Sequence, residues 1–362
     1  MKYRFDQIAI NSTVKKKPID ADKEHYIGLE HLDSDCLIVS RWGAEVTPIG
    51  EKLLMQKGDI LFGKRRAYQR KVGIAPFDGI FSAHGMVLRP KENVVIKEFF
   101  PFFIASDQFM ERAVRISVGG LSPTINWRDL KEQEFELPSL EEQRILSEKL
   151  WAAYRLKESC KRLLVATDEM VKSQFIEMTT RSELNKKSIG EIAEVRTGST
   201  PSRSNPEYWN GTHYWVSAQD MGNKYIYDTL EKITDKGYAT CKVVPAGSIL
   251  YVCRGSIGVM SINTMDCATN QSICTATCKT GYNTEYLYYA LKVAEKAIKK
   301  QGIGTSFKSL NQSAFASIEI LFPAIEIQDK FATIAKQADK SKFELRKSID
   351  AIDQVIKSLI NG

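Results

Sequence analysis

The stretch 139–178, SLEEQRILSEKLWAAYRLKESCKRLLVATDEMVKSQFIEM, decides the fold. Within it Ala153, Lys157, Cys160, Leu164, Thr167, Val171, Gln174 and Met178 step alternately by four and three residues, the spacing that keeps one face of a helix turned toward a partner helix. Neither Pro nor Gly falls between Leu140 and Met178, or between Ile325 and Ile360, so neither run contains a breaker. The seam returns 185 residues later as Ala338, Lys342, Leu345, Ile349, Ile352, Ile356 and Leu359, with a lysine on the same rung and a more apolar face. Each seam needs a partner, and the other copy is the obvious one. At ~1.5 Å per residue, a run of ~36 residues is a rod of ~54 Å.

The repeat extends outward from the helices. Residues 98–116 and 283–301 read as a matched pair of amphipathic helices. Glycine-containing loops follow, Gly119-Gly120-Leu121-Ser122-Pro123-Thr124-Ile125-Asn126 and Gly304-Thr305-Ser306-Phe307-Lys308-Ser309-Leu310-Asn311. Each copy then has a short strand-like run closed by Pro138 or Pro323, and the long helix with Gln143 or Gln328 near its start. Upstream, residues 58–62 and 247–251 correspond at an offset of 189, so loop lengths differ there. The surrounding segments are short, rich in Val, Ile, Tyr and Phe, and broken by Gly, Pro, Asn and Asp, which predicts twisted, mainly antiparallel β structure with a few helices. The fold class is α+β, divided as a block at 1–138, a long helix at 139–182, a second block at 183–323 and a second long helix at 324–362. If the helices pack as an antiparallel coiled-coil pair, the blocks are related by a pseudo-twofold axis and lie at opposite ends. Two similar surfaces held apart match the symmetry and repeat of B-DNA and predict a bipartite target.

Composition agrees with a globular chain: 362 residues, 43% hydrophobic and 26% charged, enough for two domains. No run approaches the ~18 apolar residues of a membrane span, and residues 1–18 lack the apolar core of a signal peptide. A cytoplasmic chain with no membrane partner is expected. The seven cysteines form no framework, and the odd count suits free thiols in a reducing compartment. Five lie between Cys241 and Cys278 with His213 upstream, but no close-spaced doublets make a zinc site, so no metal is expected. Net charge is +7, with +2 in residues 1–138 and +4 in 186–323 against 0 in 139–185 and +1 in 324–362. The excess sits in the blocks and is compatible with a polyanionic partner.

The sharpest basic patch is Phe62 to Val72, FGKRRAYQRKV, with Lys64, Arg65, Arg66, Arg70 and Lys71 around Tyr68. The functional reading is phosphate contact plus arginine at guanine edges. The bland reading is a solvated edge strand. In the second block Arg254, Asn270 and Gln271 have the right chemistry for base edges, as does Gln219 more weakly. Ser199, Thr200, Ser202 and Arg203, with Thr305, Ser306 and Lys308, lie in polar loops suited to phosphates and equally ordinary as surface turns.

Catalytic motifs fail on physical grounds. Gly58 to Lys64 has the spacing of a phosphate-binding loop, but Arg65 stands where Ser or Thr must hold magnesium, and Ile60-Leu61-Phe62 favours strand over loop. Asn205-Pro206-Glu207-Tyr208 is similar to the Asn-Pro-Pro-Tyr loop of amino-methyltransferases, but has Glu for the second Pro and no glycine-rich turn ahead of it. His25 and His31 share neither a helix face nor a strand face.

The whole chain resembles the specificity subunit of type I restriction-modification systems. The resemblance is carried by the block-helix-block-helix repeat, by Leu140-Glu141-Glu142-Gln143 and Ile325-Glu326-Ile327-Gln328 after the proline-closed strands, and by Gly198-Ser199-Thr200-Pro201-Ser202 with Asn205 to Trp209 opening the second half. The first block lacks the Gly-Ser-Thr-Pro-Ser loop, so the two blocks are expected to read different sequences. The resemblance implies that each block is a target recognition domain for half of a bipartite double-stranded DNA site, that the helices fix the gap, and that the chain is not itself an enzyme. It implies two modification subunits docked on the helices that methylate adenine, with restriction subunits a further possible partner. It implies no cofactor on this chain, S-adenosylmethionine, ATP and Mg belonging to the partner subunits. Leu146, Leu150, Leu163, Phe331 and Phe343 exceed what one seam needs and are expected to face those partners. The alternative is a stand-alone sequence-specific DNA-binding protein without enzyme partners.

Overall fold

The computed structural model describes residues 1–301 and 310–361. They form two compact units, Met1–Arg162 with Arg346–Gly362, and Leu163–Leu345. The long helices span Leu140–Thr180 and Ile325–Asn361, and each contributes one stretch to each unit. Ser139 caps the first: its hydroxyl accepts from Glu142 N at 3.3 Å while Glu142 Oε2 accepts from Ser139 N at 2.8 Å, the reciprocal arrangement that satisfies free amides at a helix start.

The seam positions are the buried or half-buried ones along both helices. In the first unit Lys157 meets Asp353 at 2.5 Å, while Leu150 and Tyr154, earlier on their helix, share a core with Ile356, Leu359 and Ile360, later on theirs. The two stretches therefore run antiparallel. In the second unit Lys342 meets Asp168 at 2.8 Å, and Phe175 lies 5.1 Å from Phe331 between ring centroids, again antiparallel. The 185-residue step that carries Lys157 to Lys342 also carries Asp168 to Asp353, so the two ion pairs exchange members under the repeat.

Each unit is a pair of small sheets beside a clasp. In the first unit the clasp pairs Lys2–Arg4 with Glu134–Glu136. One sheet has the order Ala9–Ser12, Met86–Pro90, Ile60–Phe62, Val72–Ile74, and the other Lys15–Lys16, Lys52–Met55, Gly79–Phe81, Tyr26–Ile27. In the second unit the clasp pairs Asn185–Ser188 with Glu319–Phe322. Its sheets are Ala193–Thr197, Ile273–Cys278, Ile249–Val252, Met260–Asn263, Tyr225–Ile226, and Glu231–Ile233, Trp209–Val216, Cys267–Thr269. Ile60–Phe62 and Ile249–Val252 are wholly buried, which is why they read as unbroken apolar runs. Pairing is mainly antiparallel; among the described residues three strand pairs are parallel, Tyr26–Ile27 on Gly79–Phe81, Trp209–Val216 on Cys267–Thr269, and Tyr225–Ile226 on Met260–Asn263, as is the single bridge Ile38 to Ile74.

The expected helix at 98–116 is two helices, Phe100–Ala105 and Asp107–Arg115. Ser106 interrupts it in an extended conformation and caps the second, accepting from Phe109 N at 3.1 Å. Its counterpart Thr284–Gln301 is continuous. Gln143 and Gln328, both fully buried, fix the helix starts to the units. Gln143 accepts from Ile96 N at 3.0 Å and donates to Val94 O and Pro138 O, each at 3.0 Å. Gln328 accepts from Asn283 N and donates to Pro323 O, each at 2.9 Å. Buried amides bonded on both ends hold one geometry, because losing a partner strands a desolvated group.

Candidate nucleic-acid interface

The basic segment of the first unit is not the edge strand that charge alone allowed. It is the connection between the paired strands Ile60–Phe62 and Val72–Ile74, folded around a short helical turn at Ala67–Gln69. Arg66 and Arg70 flank that turn with φ of 56° and 52°, a left-handed backbone that non-glycine residues adopt rarely. The glycine loop braces it. Arg66 N donates to Pro123 O at 2.7 Å, Ile125 N to Lys64 O at 2.9 Å, and Arg65 forms a bridge with Thr124.

Not every cation of this patch faces outward. Arg65 and Arg66 are exposed, as is Tyr68. Lys64 is half-buried, and burial together with nearby Lys15 pushes its ammonium below the usual lysine range. Arg70 and Lys71 are corrected to structural roles. Arg70 joins Asp35 at 2.8 Å, Asp107 at 2.9 Å and Ala105 O at 2.7 Å, while Lys71 donates to Leu29 O at 2.6 Å. These contacts tie both side chains to the unit's own backbone and carboxylates.

In the second unit the candidates from distant segments meet on one rim. Thr200 Oγ1 donates to Gln271 Oε1 at 2.5 Å, and Ser199 N donates to Thr269 O at 2.8 Å. Asn270 N donates to Val216 O at 3.0 Å, which ties the turn holding Gln219 to Asn270. Cys253 N donates to Ser272 O at 2.8 Å, which places Arg254 beside them. Gly198 lets these loops close up, since a Cβ there would lie 2.1 Å from Thr269 O. Gln219, Arg254 and Gln271 are exposed, and Ser202 bonds Ser204 at 2.8 Å. Arg203 is a second correction. Its guanidinium holds Glu231 in a bidentate pair and lies 3.7 Å from the ring centroid of Trp209, so it props the loop while its side chain stays exposed. Thr305, Ser306 and Lys308 lie outside the described residues.

The two rims share one stitching pattern. Leu310 N donates to Cys253 O at 2.7 Å, the counterpart of Ile125 N to Lys64 O. Asn270 N to Val216 O matches Ser82 N to Ile27 O, also at 3.0 Å. Gly28 N bonds His31 Nδ1 at 2.9 Å where Ser217 N bonds Asp220 Oδ2 at 2.8 Å. The neutral segment Asn270-Gln271-Ser272 therefore corresponds to Ser82-Ala83-His84, and Gln219 to Glu30. Sequence reading missed Glu30, His31 and His84 as rim residues. The signal was there in the upstream offset of 188 to 189 residues. His31 accepts at Nδ1 from Gly28 N, and burial lowers its pKa below the ordinary histidine value.

On the helices, two of the expected partner-facing residues are corrected. Leu150 and Phe331 are each 0% exposed and belong to the cores of the first and second unit. A periodic pattern shows which side of a helix is apolar, but not which of its apolar residues its own unit covers. Leu146 is partly buried against the first core, whereas Leu163 is 52% and Phe343 59% exposed. Among the described residues no group of three or more His, Cys, Asp or Glu side chains is placed to hold a metal ion, and no helix is long and apolar enough to cross a membrane.

A family model described as the type I restriction modification DNA specificity domain matches the chain twice, over residues 11–163 and 181–354. The type I restriction enzyme MjaIX specificity subunit of Methanocaldococcus jannaschii is 33% identical over 183 residues, 49% of this chain and 42% of that protein. The HindI specificity subunit of Haemophilus influenzae is 29% identical over 186 residues, 49% of this chain and 40% of that protein. These two matches thus span less than half the length of the relatives. A longer one, at 25% identity, joins 84% of this chain to 77% of the putative MjaX specificity subunit of M. jannaschii. In fold, the chain is similar to the crystal structure of a type I restriction-modification S subunit from M. genitalium, with a TM-score of 0.63 at 14% identity, covering 99% of this chain and 94% of that one. A chain from a type I R-M structure concerned with complex assembly and conformational transition gives a TM-score of 0.57 at 16% identity, covering 100% and 96%.

Proposed function

The chain belongs to the type I restriction-modification DNA specificity family, and from that premise we propose that it is the sequence-reading subunit of a DNA adenine methyltransferase complex in which each unit reads half of a bipartite duplex site. The observation that carries this reading is the rim built twice, Lys64 O to Ile125 N and Cys253 O to Leu310 N, with Arg65 and Arg66 exposed on the first copy and Arg254, Gln219 and Gln271 exposed on the second. Arginine and lysine hold phosphates and guanine edges, while Asn and Gln suit adenine edges. The long helices set the gap, and their exposed apolar residues, Leu163 and Phe343 among them, receive two modification subunits. Those subunits carry S-adenosylmethionine and the methyl-transfer chemistry, and restriction subunits carry ATP and Mg.

An electrophoretic titration on a duplex bearing the methylated site, with and without the modification subunit, tests the proposal. Site-specific binding that needs the partner, or is far tighter with it, is expected. Equal specific affinity of the chain alone favours a stand-alone DNA-binding protein. Absence of site-specific binding in both arms overturns DNA reading. For the spacer, inserting four residues near Cys160 adds ~6 Å of helix against ~3.4 Å per base pair. The gap should then change by about one or two pairs, with both half-sites kept.

A further inference from the structure

Leu121 stands at the tip of the glycine loop with 97% of its surface exposed. The loop is closed below it by two backbone hydrogen bonds, Val118 N to Thr124 O at 3.0 Å and Thr124 N to Val118 O at 2.9 Å. Gly119, at φ 118°, makes the reversal that a residue with a Cβ resists. The tip is also tied to the cations beside it. Arg66 N donates to Pro123 O at 2.7 Å, Arg66 Nε to Ser122 Oγ at 3.3 Å, and Arg65 bridges Thr124. This apolar side chain is therefore held out in water by a loop braced at its base, next to Arg65 and Arg66. On the same two loops Val118 and Tyr68 are also exposed, at 65% and 55%.

The charge around Leu121 selects the occupant. Neither 60–77 nor 112–128 contains an acidic residue, and Asp35 and Asp107, which approach the first segment, are paired with Arg70 at 2.8 and 2.9 Å, so the two loops that present Leu121 carry a cationic excess that favours a polyanion, with Glu30 an acid elsewhere on the rim. An aliphatic side chain projecting from a cationic rim has one fitting use on duplex DNA: the cations grip the flanking phosphates while the apolar tip enters between base pairs and opens the stack. We infer that Leu121 is an apolar wedge that inserts into the base stack of the half-site held by the first unit. This rests on the reading that the rim binds DNA, and it adds that the first unit recognises its half-site partly by how readily one base step opens.

The test uses the full chain with its modification subunit. Duplexes carry the mapped site with 2-aminopurine placed in turn at each step of the first unit's half-site and its flanks. With the native chain, fluorescence rises at one step. Leu121→Ala returns that step to its duplex value and lowers affinity about tenfold, in line with loss of a buried leucine, while the salt slope is unchanged. Leu121→Met keeps the signal. Equal fluorescence at every step for the native chain and Leu121→Ala overturns the wedge while leaving DNA reading intact. Loss of the modification subunit from Leu121→Ala, seen by sedimentation, overturns it by making Leu121 a protein contact. Failure of the native complex to bind the site removes the DNA reading and the wedge together, an outcome distinct from both. Because Leu121 is exposed, unchanged thermal unfolding of the variants checks that the fold is preserved.

Discussion

The loop after the central strand carries Lys64, Arg65 and Arg66 in the first unit, and Cys253, Arg254 and Gly255 at the corresponding places in the second. The backbone is the same at the last position: Arg66 has φ 56° and Gly255 φ 80°. Glycine is the residue that adopts this conformation without strain, so the second unit fills the turn in the relaxed way, and the first puts an arginine there against backbone preference. What the arginine adds there is a side chain that donates from Nε to Ser122 Oγ at 3.3 Å. The units also hold their helices differently. In the first, the Tyr154 hydroxyl accepts from Leu37 N at 2.7 Å and Ile38 N at 3.3 Å. In the second, Lys224 meets Asp339 and Glu285, each at 2.5 Å, and Lys342 meets Asp339 at 2.9 Å. Beyond the ion pair and apolar packing that both copies share, the first adds a tyrosine hydroxyl on backbone amides and the second a buried charge cluster.

The largest expected effect probes the helix packing. Phe331→Ala should destabilise the second unit by about 3–5 kcal/mol, seen as faster amide hydrogen exchange from 163–345 than from 1–162. Leu146→Ala, the same repeat position in the first unit, should cost less because Leu146 is only partly buried. Equal destabilisation would erase the asymmetry between the two helix interfaces. Next comes the rim. Replacing Lys64, Arg65 and Arg66 together by Ala should weaken site binding on the order of 100-fold at low salt and flatten the salt dependence by ~0.9 for each phosphate no longer neutralised. Asn270→Ala with Gln271→Ala should instead relax base preference in the other half-site, at about 1–3 kcal/mol for each bidentate base pairing removed, with the slope unchanged. A slope change in that second pair would contradict the reading of these amides as base contacts.

Gln143→Ala and Gln328→Ala should each cost about 1–3 kcal/mol, and in equal measure if the anchors are equivalent. Chemical denaturation followed by hydrogen exchange in each unit checks this. The smallest effect is acid sensitivity. Burial opposes ionisation of Asp339, but hydrogen bonds and charge from Lys224 and Lys342 outweigh it and hold the carboxyl below its ordinary value. The folded pKa is thus depressed, so the stability it contributes is complete above the unfolded value of ~3.9 and is lost as pH falls through the lower folded one. Acid should therefore loosen the second unit more in the native chain than in Asp339→Asn, as followed by hydrogen exchange.

The helices were legible because a seam of alternating four- and three-residue steps without Pro or Gly leaves one reading. Ile60–Phe62 was legible as an apolar run too short for a helix. The break at Ser106 was not, because a serine between two apolar turns reads equally as helix interior or cap until its hydroxyl finds Phe109 N. The rims were half legible. Side-chain chemistry pointed to Arg65, Arg66, Asn270 and Gln271, but the bonds that gather them join residues 61 and 57 places apart, Lys64 with Ile125 and Cys253 with Leu310, and no local pattern encodes those. Arg203 was legible as a cation, while its partner Glu231 lies 28 residues on, which hid its structural role. Leu150 and Phe331 were misplaced for a related reason, since each unit covers apolar helix residues that the seam pattern leaves over.

The most direct measurement is a genome-wide map of methylated adenines in cells carrying the modification subunit with either the native chain or one whose residues 1–138 come from another family member. Two independent readers predict that one half-site changes while the other half-site and the gap persist. A map in which both half-sites change together, or neither does, would contradict the account.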